Sequence, residues 1–135
     1  MAQTYFLDTW FFIALFDRRD THHAAVRRLE ARHRRDRLVT HDGVLTEFLN
    51  YFCEDGPMAR REASRLIRRI ALDVTVVASS HELFLRALAL YDARPDKEYS
   101  LTDCMSMVVM RDRGIDHILT NDHHFRQEGF TAVSE

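Results

Sequence analysis

Thr4-Tyr5-Phe6-Leu7-Asp8-Thr9-Trp10-Phe11-Phe12-Ile13-Ala14-Leu15-Phe16 is the stretch that decides the fold. Its first four residues are β-prone and stop at an acid. From Trp10 to Phe16 every position is apolar, the composition of a buried helical turn or two. A short apolar strand that ends in an acid and runs straight into a helix opens an α/β unit. In open sheets built from such units, ligands gather at the carboxyl ends of the strands. Asp8 therefore stands where chemistry is usually placed. It also has an ordinary alternative, because a carboxylate just before a helix can cap the free N–H groups of its first turn.

The same alternation runs through the rest of the chain. Asp17 to Asp20 breaks the first helix, and Asp20 or Thr21 caps a second over about His22 to Arg35. Ala25, Val26 and Leu29 form its apolar side; Arg27, Arg28, Arg32, Arg34 and Arg35 make it strongly basic. Leu38-Val39-Thr40 is a second strand. Val44, Leu45, Phe48, Leu49 and Phe52 then recur at helical spacing. On that wheel Glu47 lies just off the apolar arc, where an acid can point into a cleft, although the open surface is its usual place. After Gly56-Pro57, a helix from Met58 to Ala71 buries Ala63, Leu66, Ile67 and Ile70 and turns Arg61, Arg65 and Arg68 outward. Val74 to Val77 is a third strand.

Ser79-Ser80-His81-Glu82 reads as a capping box opening a helix that buries Leu83, Phe84, Ala87, Leu88 and Tyr91. Ser100-Leu101-Thr102-Asp103 repeats that spacing before Cys104 to Met110, which is apolar in almost every direction and so belongs to a buried helix. Arg113-Gly114 ends it with the residue that best accepts a left-handed cap. Ile115 to Thr120 is a fourth strand leading into Asn121-Asp122-His123-His124, and Phe130 to Val133 is a last edge strand. Strands alternating with helices call for a mostly parallel sheet covered on both faces.

One domain spanning residues 1–135 suits this length. Hydrophobic residues make up 46% and charged residues 30%, which excludes a disordered chain; with only 4 Gly and 2 Pro, a turn-rich all-β fold is excluded as well. The formal net charge of −2 leaves no global basic field, and of the 19 basic residues all but Lys97 are Arg. Cys53 and Cys104 form no C-x-x-C pair and both fall in apolar helical stretches, so buried free thiols in a reducing cytoplasm are expected. Met1-Ala2-Gln3-Thr4 lacks a basic leader region, and no apolar run reaches the length of a membrane span.

Four acids remain. Asp8 and Asp122 follow strands, Asp103 opens a helix, and Glu47 lies in another helix's first turns. In a parallel sheet these positions share one edge. Converging carboxylates repel one another unless a cation is present, and oxygen ligands with few His or Cys select Mg²⁺ or Mn²⁺. Such a site suits phosphodiester hydrolysis, in which the ion activates a water and offsets developing charge. Thr9, Thr102, Thr120 and Asn121 adjoin the acids and can orient them or a water.

Phe6-Leu7-Asp8-Thr9, Thr46-Glu47, Ser100-Leu101-Thr102-Asp103 and Leu119-Thr120-Asn121-Asp122-His123-His124-Phe125 together resemble the PIN-domain ribonucleases, including the VapC-type toxins of toxin–antitoxin pairs. The resemblance covers nearly the whole chain. It implies a three-layer α/β/α fold and Mg²⁺- or Mn²⁺-dependent endonucleolytic cleavage of RNA. Asp8, Glu47 and Asp103 match the family's acidic triad and Asp122 its fourth acid, with Asp8, Asp103 and Asp122 as metal ligands. A cognate antitoxin and a homodimer are the partners it implies, with no membrane. A PIN-fold binding module without activity is the alternative. A receiver-type phosphoacceptor is a weaker one, because Lys97 lies in a loop before the central helix and the third strand ends in Val77-Ala78.

Overall fold

In a computed structural model that describes residues 3–135, β1 (Thr4–Leu7) feeds α1 (Thr9–Phe16) and α2 (His23–Arg32). Then follow β2 (Arg37–His41), α3 (Asp42–Tyr51), α4 (Pro57–Asp73) and β3 (Thr75–Val77). The chain closes with α5 (His81–Ala93), α6 (Leu101–Asp112), β4 (His117–Leu119), α7 (His123–Gln127) and β5 (Thr131–Val133). The reading of Met1-Ala2 as lacking a leader lies outside the described residues. No helix among those described is long and apolar enough to cross a membrane.

The strands form one sheet in the order β3-β2-β1-β4-β5, every pair parallel, with Phe6 registered between Val39 and Ile118. From β1 the chain steps to β2 and β3 in one direction; from β4 it steps to β5 in the other. Neighbours β1 and β4 therefore send their connections apart at their carboxyl ends, which opens a crevice there. Helices α1 to α4 form one linked set of packed neighbours and α5 to α7 another, the two outer layers that right-handed crossovers running in opposite directions require. Phe6, Leu7, Ile118 and Leu119 are fully buried, as expected of central strands covered on both sides. Phe12, Phe16, Phe48 and Phe52 join α1 to α3 and the turn after it, with ring centroids 4.7–6.3 Å apart. Each fully buried ring contributes about 1.5–3 kcal/mol.

Several expectations need correction. The second helix stops at Arg32 rather than Arg35, where His33 Nδ1 pairs with Asp36 Oδ2 at 2.8 Å and turns the chain toward β2. On α5 only Leu83 and Ala87 are buried; Phe84, Leu88 and Tyr91 are 39%, 37% and 50% exposed. This helix packs chiefly on α6, so one i, i+4 stripe is covered and the rest is not. Its cap is Ser80, whose hydroxyl accepts from the Leu83 N–H at 3.0 Å, so Glu82 closes no box. Cys104 is buried, but Cys53 is exposed because α3 ends at Tyr51 and leaves it in the following turn. A five-residue α7 stands where only a polar strand end was expected, being too short to show a period.

Candidate active site

Three acids meet at the crevice beyond β1 and β4. Asp8 sits at the N-cap position of α1, yet its side chain makes no capping hydrogen bond. Instead its Oδ2 accepts from Thr120 Oγ1 at 2.9 Å, and the same hydroxyl accepts from the Asp122 N–H at 3.1 Å. Thr120 thus ties the ends of the two central strands together. Asp103 does cap: its Oδ2 accepts from the Ser100 N–H at 3.1 Å while Ser100 Oγ accepts from the Asp103 N–H at 3.0 Å. Asp122 caps α7, accepting from the His124 N–H at 2.9 Å. The His124 ring lies between two of the acids, its Nδ1 3.2 Å from Asp103 Oδ2 and 3.1 Å from Asp122 Oδ1.

The electrostatics follow from this crowding. Asp8 is 5% exposed, and its carboxyl is pushed up to about 7, by burial first and then by the charge of Asp103. Asp103 is also raised, chiefly by burial and further by Asp122. These are carboxylates held where they resist ionisation, the condition a bound cation reverses. Beside them Thr9 Oγ1 is buried with no hydrogen-bond partner. Hard carboxylate oxygens and an unpaired hydroxyl fit Mg²⁺ or Mn²⁺. Asp122, His123 and His124 also bring one donor atom each within 4.8 Å of one another.

Not every expected residue joins the cluster. Glu47 is exposed on α3 and is not among the carboxylates that press on Asp8. Asn121 is exposed, and Thr102 offers its carbonyl rather than its hydroxyl, accepting from Ser106 Oγ at 3.1 Å. That contact belongs to a buried relay the sequence reading missed. The Gly43 N–H donates to His41 Nδ1 at 2.9 Å, so Nε2 carries the hydrogen and donates to Ser106 Oγ, also at 2.9 Å. Burial pushes the His41 ring down to about 4, so it is neutral there. The relay pins the start of α3 to the first turn of α6, next to Asp103. Tyr99 was missed too: it is buried edge-on against His124 with centroids 5.6 Å apart. Its only sequence signal is its place directly before the Ser100 cap.

A parallel α/β/α sandwich with aspartates gathered at its central crevice defines a class, and this chain belongs to it: the PIN domain family matches residues 5–130. Among individual proteins, it is similar to the 23S rRNA-specific endonuclease VapC20 of Mycobacterium tuberculosis, at 32% identity over 131 residues, 95% of this chain and 96% of the relative. The crystal structure of M. tuberculosis VapC20, described as a sarcin–ricin loop cleaving toxin, matches with a TM-score of 0.85 at 29% identity, covering 96% of this chain and 98% of that one. VapBC2 from Rickettsia felis shares the fold at 13% identity, with a TM-score of 0.67 over 97% of this chain and 98% of that one.

Proposed function

We propose that this chain is a Mg²⁺- or Mn²⁺-dependent endoribonuclease and the toxin of a toxin–antitoxin pair. The observation that carries the reading is the meeting of Asp8, Asp103 and Asp122, delivered by three separate segments with Asp8 pushed up to about 7. Those three aspartates are the metal ligands of the proposal. When bound, the ion supplies an activated water at neutral pH and offsets charge on the phosphoryl group. The chain's own part is to hold the ligand oxygens ready: Thr120 orients Asp8, the Ser100 box fixes Asp103, and the His124 N–H holds Asp122. Glu47 enters as a catalytic acid on the family resemblance alone. The likeness to VapC20 supports structured ribosomal RNA as the first substrate to try. It also supports a cognate antitoxin as partner, in the cytoplasm where both would be made. A homodimer is implied by the resemblance, and sedimentation of the purified protein tests it.

The deciding experiment incubates the purified protein with a ribosomal RNA hairpin. Cleavage is expected with Mg²⁺ or Mn²⁺, none in chelator, and none from Asp103→Asn with either ion. Full activity in chelator would overturn the metal-dependent reading. Metal binding without cleavage of any RNA tried would favour an inactive binding module.

A further inference from the structure

We propose that His124 is a nitrogen ligand of this site, so that it selects Mn²⁺ over Mg²⁺. The inference rests on the metal-dependent reading above and deepens it. Nδ1 of His124 lies 3.1 Å from Asp122 Oδ1 and 3.2 Å from Asp103 Oδ2. In an octahedral shell with ligands at about 2.1 Å, neighbouring donors stand about 3.0 Å apart. These spacings are therefore those that neighbouring donors keep around one ion. Occupation needs no movement of the chain.

The ring is also built in rather than loosely present. Its side chain is only 16% exposed. Tyr99 is buried against it, with rings 5.6 Å apart at 62°. The Tyr99 hydroxyl donates to Glu128 Oε1 at 3.1 Å, and Glu128 is held in turn by Arg94 at 2.9 Å and Arg111 at 2.8 Å. A charge-assisted clasp thus stands behind the wall that packs His124 toward the acids. His123 differs: its side chain is 68% exposed and its Nδ1 is 3.9 Å from Asp122 Oδ1, on the solvent side. Imidazole is a borderline donor that a first-row transition ion such as Mn²⁺ accepts more readily than Mg²⁺, which prefers oxygen and keeps its waters. One nitrogen among the carboxylates tilts the site toward Mn²⁺.

The test titrates metal-free protein with Mn²⁺ and with Mg²⁺ by calorimetry, and examines the Mn²⁺-loaded protein by pulsed EPR for coupling to nitrogen. Wild type should prefer Mn²⁺ by roughly tenfold or more and show the coupling. His124→Ala should weaken Mn²⁺ roughly tenfold, leave Mg²⁺ within about threefold, and lose the coupling. His124→Asn, which puts an amide at that place, should bind both ions without coupling; retained Mg²⁺ binding shows that each variant is folded. Coupling that is absent from Mn²⁺-loaded wild type, persists in both His124 variants, or disappears with His123→Ala would overturn the inference. If wild type binds neither ion, the inference and the nuclease reading fall together; if both ions bind without nitrogen, only the inference falls.

Discussion

Asp8 stands at the N-cap of α1 without capping it, and its carboxyl lies at about 7 against 3.8 for the unperturbed group. Between those values the native state keeps a proton that the unfolded state has released. For this group stability is therefore fully present below the unfolded value and is lost as pH rises through the folded one. At about 1.4 kcal/mol per pKa unit, ionised Asp8 costs the metal-free protein on the order of a few kcal/mol. Asp8→Asn keeps the shape and removes the charge. In chelator its stability advantage over wild type should grow from about pH 4 to about pH 7 and level off above that, read from denaturant curves. Millimolar Mg²⁺ should raise the wild-type melting temperature through selective binding to the folded state, and raise that of the variant much less. A variant less stable than wild type at neutral pH in chelator would return Asp8 to a structural role. The sequence showed this aspartate at a strand end; only its environment shows why it is not a cap.

At the scale of elements, the site depends on two helix starts. The Ser100 box is reciprocal: Ser100→Ala leaves the Asp103 N–H without its acceptor and loosens the first turn of α6, while the N–H of residue 100 still donates to Asp103 Oδ2. Thermal unfolding should show a loss of about 1 kcal/mol, and Mg²⁺ affinity should fall with it. At the start of α3, a Cβ on Gly43 would meet His41 Cε1 at 2.6 Å and Nδ1 at 2.8 Å. His41 is fully buried and hydrogen-bonded at both nitrogens, so it has nowhere to retreat. Gly43→Ala gains about 1 kcal/mol in helix propensity but should still be net destabilising by about 1–2 kcal/mol from overpacking. Unchanged stability in denaturant curves would mean that the His41 relay yields freely. The capping box was legible because its spacing is local. The relay was not, since it joins residues 65 apart in sequence.

Across the whole molecule, charge is arranged in faces rather than as one field. Arg61, Arg65 and Arg68 lie exposed along α4, and among the described residues none of them forms an ion pair. A helix that packs its apolar side inward and wets the other gives this pattern without a ligand. Replacing all three with Gln should therefore leave the salt dependence of RNA binding unchanged. A slope shallower by about 0.7 for each arginine removed would instead assign phosphate contacts to this face.

The sequence by itself determined the order and type of nearly all the elements, the parallel sheet, and the placing of Asp8, Asp103 and Asp122 at element ends. Apolar periodicity, caps and breakers act within a few residues of one another, so they can be read in line. Only the tertiary structure decided which of those acids meet. Asp8 and Thr120, 112 residues apart, are joined because β1 and β4 are neighbours with diverging connections, while Glu47, just off the apolar arc of its helix, stays at the surface. The same holds for Phe84, Leu88 and Tyr91, whose exposure depends on how much of α5 another helix covers. It holds also for His124 and Tyr99, which come together only because α7 folds back against the segment that enters α6. Burial and proximity between distant segments are properties of packing, which no local pattern encodes.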